Sequence, residues 1–322
     1  MLRKALDRAT YYSSHFIKDN MPAVLFRRSI DSILGSHLHD AIIDRVNYYN
    51  KLDAGFKVDP GRNIGNIEKS SSMYYYDLKE YCRYFADDLG LSYRFGDITD
   101  IPATPSIVKS RPAGGENGNS VIMNLDRLRH FAKVRDSHAF AQKLPQAVWR
   151  GRNNNAKRLV LAGNYSSHRL CNVGLVDRSD GSFKPWLPVK QQLRYRYIIS
   201  VEGIDVATNL KWIMSSNSLC LMPRCRYETW FMEGRLRPGV HFVLLKDDFS
   251  DLEDKIIFYN GNPSLAEAII RNANAHHAVF ADRKSETLIS LLVLLKYFYL
   301  SGQLQLPECT KAWFSTQPAE NA

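Results

Sequence analysis

Cysteine is scarce in this chain: five residues, at 82, 171, 220, 225 and 309, fall at irregular spacings. An odd, scattered set builds no disulfide framework, and no C-x-x-C pair announces a zinc site. Cys220 and Cys225 flank Pro223 without a second Cys or His pair at finger spacing, so they read as thiols of a reducing compartment. Long apolar runs are missing too. The longest, residues 288–300, is 13 residues interrupted by Lys296, against about 20 for a bilayer crossing. The opening MLRKALDRATYYSSHF is basic but lacks the apolar core and cleavage site of a signal peptide, so the expectation is a cytoplasmic protein, peripheral at most.

Nucleotide motifs are equally sparse. No Walker loop occurs and no G-x-G-x-x-G follows a strand, which leaves mononucleotide kinases and nicotinamide dehydrogenases without support. D-x-D is absent; DITD and DRSD space their carboxylates three apart. His276 and His277 are adjacent and point to different faces of a helix. No metal site is expected.

What is present is a folded chain. Its 322 residues suggest two domains at roughly 150 residues each, and 45% hydrophobic content is ample for two cores. Lys+Arg outnumber Asp+Glu by 43 to 33, a net charge of +10. This favours anionic partners: sugar nucleotides, nucleic acid or an acidic membrane face. The first 30 residues hold six Lys/Arg against two Asp/Glu, with Leu2, Leu6, Tyr11, Phe16 and Ile17 interspersed. They read either as a segment that touches anionic lipid or as a solvated helical lid.

A helix is expected over 71–90, capped by Ser71 or Ser72, followed by short strands at LSYRF, SIVKSRP and SVIMNL. After about residue 145 strands and helices alternate, indicating a mostly parallel sheet covered on both faces. In that half Ser250, with Glu253 three residues on, suggests a capping box, and Asn262-Pro263 suggests a cap and first helical turn.

Two segments have the layout of a ligand loop beyond a strand end. In the first, Trp149-Arg150-Gly151-Arg152 precedes a helix; Gly151 permits close backbone approach, and the arginines suit a diphosphate. In the second, a strand ends at Glu202-Gly203, and Thr208 or Asn209 opens a helix with Lys211 in its first turn. Positive charge is unfavourable there unless a phosphate faces it, so Asn209 and Lys211 are phosphate candidates; alternatively Lys211 pairs with Glu202 or Asp205. Glu228 is a candidate for ribose hydroxyls. Asp97 and Asp100, in the loop GDITD, are candidate general bases or simply turn residues. Residues 105–160 carry eleven Lys/Arg and three Asp/Glu, which makes Lys109 and Arg111 candidates for a basic cleft.

The runs Y-x-x-S-x-E-G, N-L-K-W, S-N-S and R-P-x-x-H-F-V-x-L-x-D-D-x-S-D-L, with VWRGR and IPATPSIVKSRP, resemble glycosyltransferase family 90 over residues 90–300. The nearest form is its bacterial lipopolysaccharide-modifying (LPS A) branch, related to capsule-associated xylosyltransferases and protein O-glucosyltransferases. The resemblance implies an α/β GT-B fold, two Rossmann-like domains facing a cleft with the last helix crossing back. The expected division is 1–142 for the acceptor side, 143–282 for the nucleotide sugar, and 283–322 returning to the first domain.

It also implies an inverting transferase without an essential metal, moving a hexose or pentose from a UDP-sugar such as UDP-glucose. The acceptor would be lipopolysaccharide or a related lipid-linked glycan at the anionic inner membrane. The family's W/F-R-G segment falls on Trp149-Arg150-Gly151, and its basic helix start on Thr208-Asn209-Leu210-Lys211. Its catalytic aspartate best matches Asp97, with Asp100, nearer Pro102, the rival. Glu202 stands where animal members have Arg, and Asn209 replaces a basic residue. The alternative reading is a non-catalytic basic module for sugar nucleotide, acidic glycan or nucleic acid. Nucleic acid is disfavoured, since no helix-turn-helix, RNA-recognition or zinc motif occurs.

Overall fold

The computed structural model describes residues 2–22, 25–26, 38–59, 61–70, 72–131, 134–177 and 181–315. Ser71, Asp180 of the DRSD run, and Arg27 and Arg28 of the basic opening segment lie outside the described residues. The chain divides into two compact units, 1–128 with 282–322, and 129–281.

The first unit is mixed α/β. Helices α1 (Leu2–Asp19), α2 (Asp40–Tyr49) and α3 (Ser72–Cys82) precede strands β1 (Tyr93–Arg94), β2 (Ser106–Val108) and β3 (Ser120–Ile122). The strands form a parallel sheet in the order β1-β2-β3. Helix α1 meets α3 through polar groups: the Tyr11 hydroxyl donates to Asp77 at 2.6 Å and Lys18 to Glu80 at 2.8 Å. Asp77 is fully buried and also accepts from the Arg127 backbone N–H and Nε.

The apolar run near the C-terminus is the helix Arg283–Leu300, which Asp282 caps by accepting from the N–H groups of Lys284 and Ser285. Ile289, residues 291–295, Tyr297 and Phe298 are all buried, so the helix is apolar around most of its girth because it is an interior element. Among the described residues no helix is long and apolar enough to cross a membrane. Two buried polar anchors join this helix to α2. Arg45 pairs with Glu286 at 2.5 Å, and the Lys296 ammonium donates to Asn47 Oδ1 and the Asn50 carbonyl, both at 2.8 Å.

The second unit is a five-stranded, all-parallel sheet. Its strands are β4 (Leu144–Gly151), β5 (Cys171–Leu175), β6 (Tyr195–Ile199), β7 (Leu219–Met222) and β8 (Val243–Leu244), in spatial order β8-β7-β6-β4-β5. The intervening and following helices are α4 (Ala156–Tyr165), α5 (Leu210–Met214), α6 (Leu252–Gly261) and α7 (Pro263–Ala278). Alternation along each strand feeds two cores. Ala147, Trp149, Tyr197, Ile199, Leu219 and Leu221 face one; Val148, Ile198, Cys220 and Met222 face the other. Burial on both faces is why these strands read as continuous apolar runs.

The helix starts differ from expectation in one respect. Asp251, not Ser250, occupies the N-cap of α6, and it makes no cap bond. Its carboxylate accepts from the Lys246 N–H and closes the preceding turn instead. Asn262 does precede Pro263 at the start of α7, but its amide turns back to the Phe258 carbonyl.

Burial holds the Lys296 amine down, from 10.5 to about 8. Below pH 8 the amine is charged in both folded and unfolded chains, and the folded state bears the desolvation cost. Between pH 8 and 10.5 the unfolded chain binds more protons, so stability rises with pH, by about 3 kcal/mol for this group alone. Urea unfolding at pH 7.5 and 10 should show that increment in the parent protein and lose it in Lys296→Met.

Candidate active site

In the second unit the chain leaves β4 toward β5 on one side and later returns to β6 on the other. The carboxyl ends of β4 and β6 therefore mark the switch point of the sheet, where an open α/β sheet leaves a crevice. The loop after β4 is Arg152–Asn155 and the loop after β6 starts at Ser200.

Arg158, in the first turn of α4, ties these loops together. Its Nε donates to the Glu202 carbonyl at 2.9 Å and Nη2 to the Val201 carbonyl at 2.9 Å. Nη1 donates to the Arg152 carbonyl at 3.2 Å and to Asn154 Oδ1 at 2.8 Å. The guanidinium lies 5.7 Å from the Trp149 ring centroid, and burial draws it down to about 10, still charged at neutral pH. Asn155 adds a second stitch: it caps α4 by accepting from the Lys157 N–H and donates to the Gly203 carbonyl at 2.8 Å. Arg158 and Asn155 carry no signal in the sequence beyond an arginine near a helix start.

The glycines are set by the same packing. A Cβ on Gly151 would stand 2.3 Å from the Trp149 indole, and one on Gly203 would stand 3.2 Å from Arg158 Nη2. Trp149 itself is buried. Glu202 uses its carboxylate to hold the next loop, accepting from the Arg226 and Tyr227 N–H groups at 2.8 and 3.1 Å and from Arg226 Nε at 2.9 Å.

Several expected phosphate contacts point into the protein. Arg150 donates to the carbonyls of Trp149, Asn172 and Pro185 and to Asn172 Oδ1. Asn209 bridges the Ile199 carbonyl and the Ser200 hydroxyl. Lys211 is 1% exposed and pairs with Glu233 at 2.6 Å, rather than with Glu202 or Asp205. Glu233 in turn accepts from the Thr229 N–H and hydroxyl. Thr208 is half-buried beside this cluster's helix and Glu228 is buried.

Other cations are available. A pocket at the ends of β6 and β7 is lined by Lys157, Ser200, Glu202, Arg224, Cys225 and Glu233 among others. Arg224 there, and Arg152 on the β4 loop, are exposed and make no side-chain bond among the described residues. Lys157 reaches Asp247 at 2.6 Å, an exposed pair of small energetic weight. Burial pushes the Cys225 thiol up, away from nucleophilic use. No group of three or more His, Cys, Asp or Glu suited to a metal occurs among the described residues.

The candidate bases lie in the first unit. Asp97 Oδ1 accepts from the buried Lys109 ammonium at 2.5 Å, and the Asp97 side chain is 28% exposed. Asp100 forms a fork with Arg94 at 2.7 and 3.1 Å, which lowers its carboxyl below the usual range. Arg111 is fully buried, donating to the carbonyls of Tyr48, Tyr49 and Ser120.

The two roles available to Lys211 separate experimentally. Removing one member of a buried pair costs about 3–5 kcal/mol, so Lys211→Met should lower stability by that order in chemical denaturation. The double variant Lys211→Met/Glu233→Gln should recover part of it. A lysine serving only a bound phosphate would leave stability unchanged. Arg158→Ala should raise amide exchange in residues 152–155 and 201–203 together, with the strand amides of β4 and β6 still protected.

The sequence profile of glycosyl transferase family 90 matches residues 122–285, which span the whole parallel sheet of the second unit. The O-glucosyltransferase LpsA of Dichelobacter nodosus is 47% identical over 271 residues, 82% of this chain and 85% of that protein. Uncharacterized protein 179R of Invertebrate iridescent virus 6 is 25% identical over 138 residues, 40% of this chain and 12% of the viral one. Uncharacterized protein 035R of Invertebrate iridescent virus 3 is 30% identical over 97 residues, 30% of this chain and 9% of the viral one. With the family profile covering the sheet and its loops, and the bacterial relative matching over four-fifths of the chain, this chain is a glycosyltransferase and belongs to glycosyl transferase family 90.

Proposed function

We propose that this enzyme is an inverting GT-B glucosyltransferase that moves glucose from UDP-glucose to a hydroxyl of lipopolysaccharide or a related lipid-linked glycan. The observation that carries the reading is the 47% identity to an O-glucosyltransferase along 82% of the chain. The second unit supplies the donor contacts. Its switch-point loops expose Arg152 and Arg224, with Lys157 nearby, as partners for a departing diphosphate. Cationic side chains fixed on a parallel sheet supply the charge stabilisation that a leaving UDP needs, and no metal is required for that step. Arg150, Asn209 and Lys211 act behind them, holding strand ends and helix start in place.

The first unit supplies the base. Asp97 deprotonates the acceptor hydroxyl, whose oxygen attacks the anomeric carbon from the side opposite UDP. One C–O bond forms as the other breaks, and the proton passes to the carboxylate. Lys109 holds Asp97 Oδ1 in place before the acceptor arrives. Asp100, the rival carboxylate, holds Arg94 with both its oxygens.

The enzyme works at the cytoplasmic face of an anionic membrane. Helix α1 turns its polar side to α3 and leaves Leu6, Phe16 and Ile17 at 66%, 63% and 62% exposure, a face suited to the lipid interface.

Asp97→Asn should abolish glucose transfer while the thermal shift produced by UDP-glucose stays within error of the parent; unchanged turnover would overturn the assignment. The same shift should survive EDTA and be larger for UDP- than for GDP-, ADP- or CMP-sugars. A ligand at 100 times its dissociation constant stabilises by about 2.7 kcal/mol.

A further inference from the structure

Residues 182–185 lie against the end of β5. Phe183 pairs with Leu175 in a parallel bridge, the Leu175 N–H donates to the Ser182 carbonyl at 2.9 Å, and the Lys184 N–H donates to the Leu175 carbonyl at 2.8 Å. Arg150 then holds the Pro185 carbonyl at 3.0 Å from the neighbouring strand. Gly174 admits the Lys184 stem, which would meet a Cβ at 2.5 Å. Residues 182–185 are thus pinned along the edge of the sheet, at its carboxyl end.

This rigid segment presents large apolar surface to water. Trp186 is 61% exposed and Phe183 is 48% exposed. Together with Pro185, Val176, Arg152 and Asp177 they line an open pocket of about 630 Å³, within the usual range for a small-ligand site. Trp186 belongs to neither core cluster of the sheet among the described residues. An exposed Trp on a fixed backbone is a stacking surface available at little ordering cost.

The rim decides what stacks. Arg152 is exposed and offers donors, while the Asp177 carboxylate, oriented by the Asn153 N–H at 2.9 and 3.0 Å, offers further lone pairs. A pyranose ring satisfies both, because each hydroxyl donates and accepts while its axial C–H groups form an apolar face. A uracil ring presents a single N–H donor between two carbonyl acceptors, so it has fewer donors to offer the carboxylate than a pyranose has.

We propose that Trp186 and Phe183 form a stacking platform for a pyranose ring of the saccharide acceptor, with Asp177 contacting its hydroxyls. The assignment of the ring to the acceptor rests on the glycosyl-transfer reading above. Binding of a free sugar, however, is measurable without turnover. Arg150 is then a positioning residue for this platform.

Saturation-transfer NMR with methyl glucoside, methyl galactoside and methyl N-acetylglucosaminide, and separately with UMP, tests it. The parent protein should saturate ring C–H protons of at least one pyranoside. Trp186→Ala should weaken that binding at least about tenfold, Trp186→Phe should retain most of it, and the UDP-glucose thermal shift should be the same in all three. An unchanged thermal midpoint for Trp186→Ala establishes that the fold is intact, as expected for so exposed a side chain. Absence of pyranoside binding in the parent, its persistence in Trp186→Ala, or a loss that falls on UMP would each overturn the platform. Loss of the UDP-glucose shift in the parent would instead count against the donor assignment.

Discussion

The geometry of the second unit depends on how the carbonyls at its switch point are satisfied. A parallel sheet sends every strand's carboxyl end to one edge, and where the order reverses, two loops diverge with backbone acceptors facing the gap. Val201, Glu202 and Arg152 present such carbonyls, and one guanidinium takes all three. A planar fork of five N–H donors can do this from a single side chain, whereas an ammonium on a flexible stem cannot span both loops with fixed directions. Burial makes the Arg158 proton easier to lose, yet at about 10 it stays bound through the physiological range. The crevice is therefore backed by a permanent positive charge whose five-donor fork also fixes the loop positions.

That clamp explains a division of labour among the cations. Charges near the sheet are drawn inward to complete hydrogen bonding: Arg150 to carbonyls of β4, β5 and Pro185, Lys211 to Glu233. Such groups stabilise positions and cost too much to redirect toward a ligand. One step further out, Arg152 and Arg224 sit on the loops that the inner cations hold, and solvent keeps them free. The Arg152 carbonyl is held by Arg158 while its own side chain stays in solvent, so position and charge are supplied by different arginines.

Much of this was legible in the sequence, and what was hidden has a common cause. The apolar runs of β4, β6 and β7 and the Gly/Pro-bounded helices announced a parallel sheet, because two-sided burial leaves a contiguous signature. Gly151 announced close approach, and the Trp149 indole is one group that makes it; Gly203 is backed in the same way by Arg158. The partner of Lys211 was not legible. Glu233 lies 22 residues on, beyond any local spacing rule, and nothing in composition separates it from Glu202 or Asp205. Asp251 stands at the α6 cap position yet makes no cap bond for a similar reason: the Lys246 N–H of the preceding turn takes its carboxylate. Local chemistry predicts that a group will be satisfied; only the fold says by what.

The helix Arg283–Leu300 shows the same principle acting on a whole element. A helix so apolar can slide along a core at little cost, since one leucine replaces another. Glu286 and Lys296 remove that freedom, being ten residues and about 15 Å apart along the axis. The partners that fix them lie on α2 and the turn after it: Arg45 for the carboxylate, Asn47 and the Asn50 carbonyl for the ammonium. A shift of one turn would strand both charges in an apolar interior, at several kcal/mol apiece. Asn50 Nδ2 adds a third tie, donating to the Val293 carbonyl at 3.1 Å between the two charged anchors. The buried polar groups are costly to the stability of the first unit, and the depressed Lys296 amine records part of that cost. What they contribute is a single register, which carries through to Tyr297. Its hydroxyl accepts from the Ser92 N–H and donates to the Pro105 carbonyl, joining the segments that lead into β1 and β2. The loop bearing Asp97 follows β1 directly, so the register of the last helix is part of what sets the position of the candidate base.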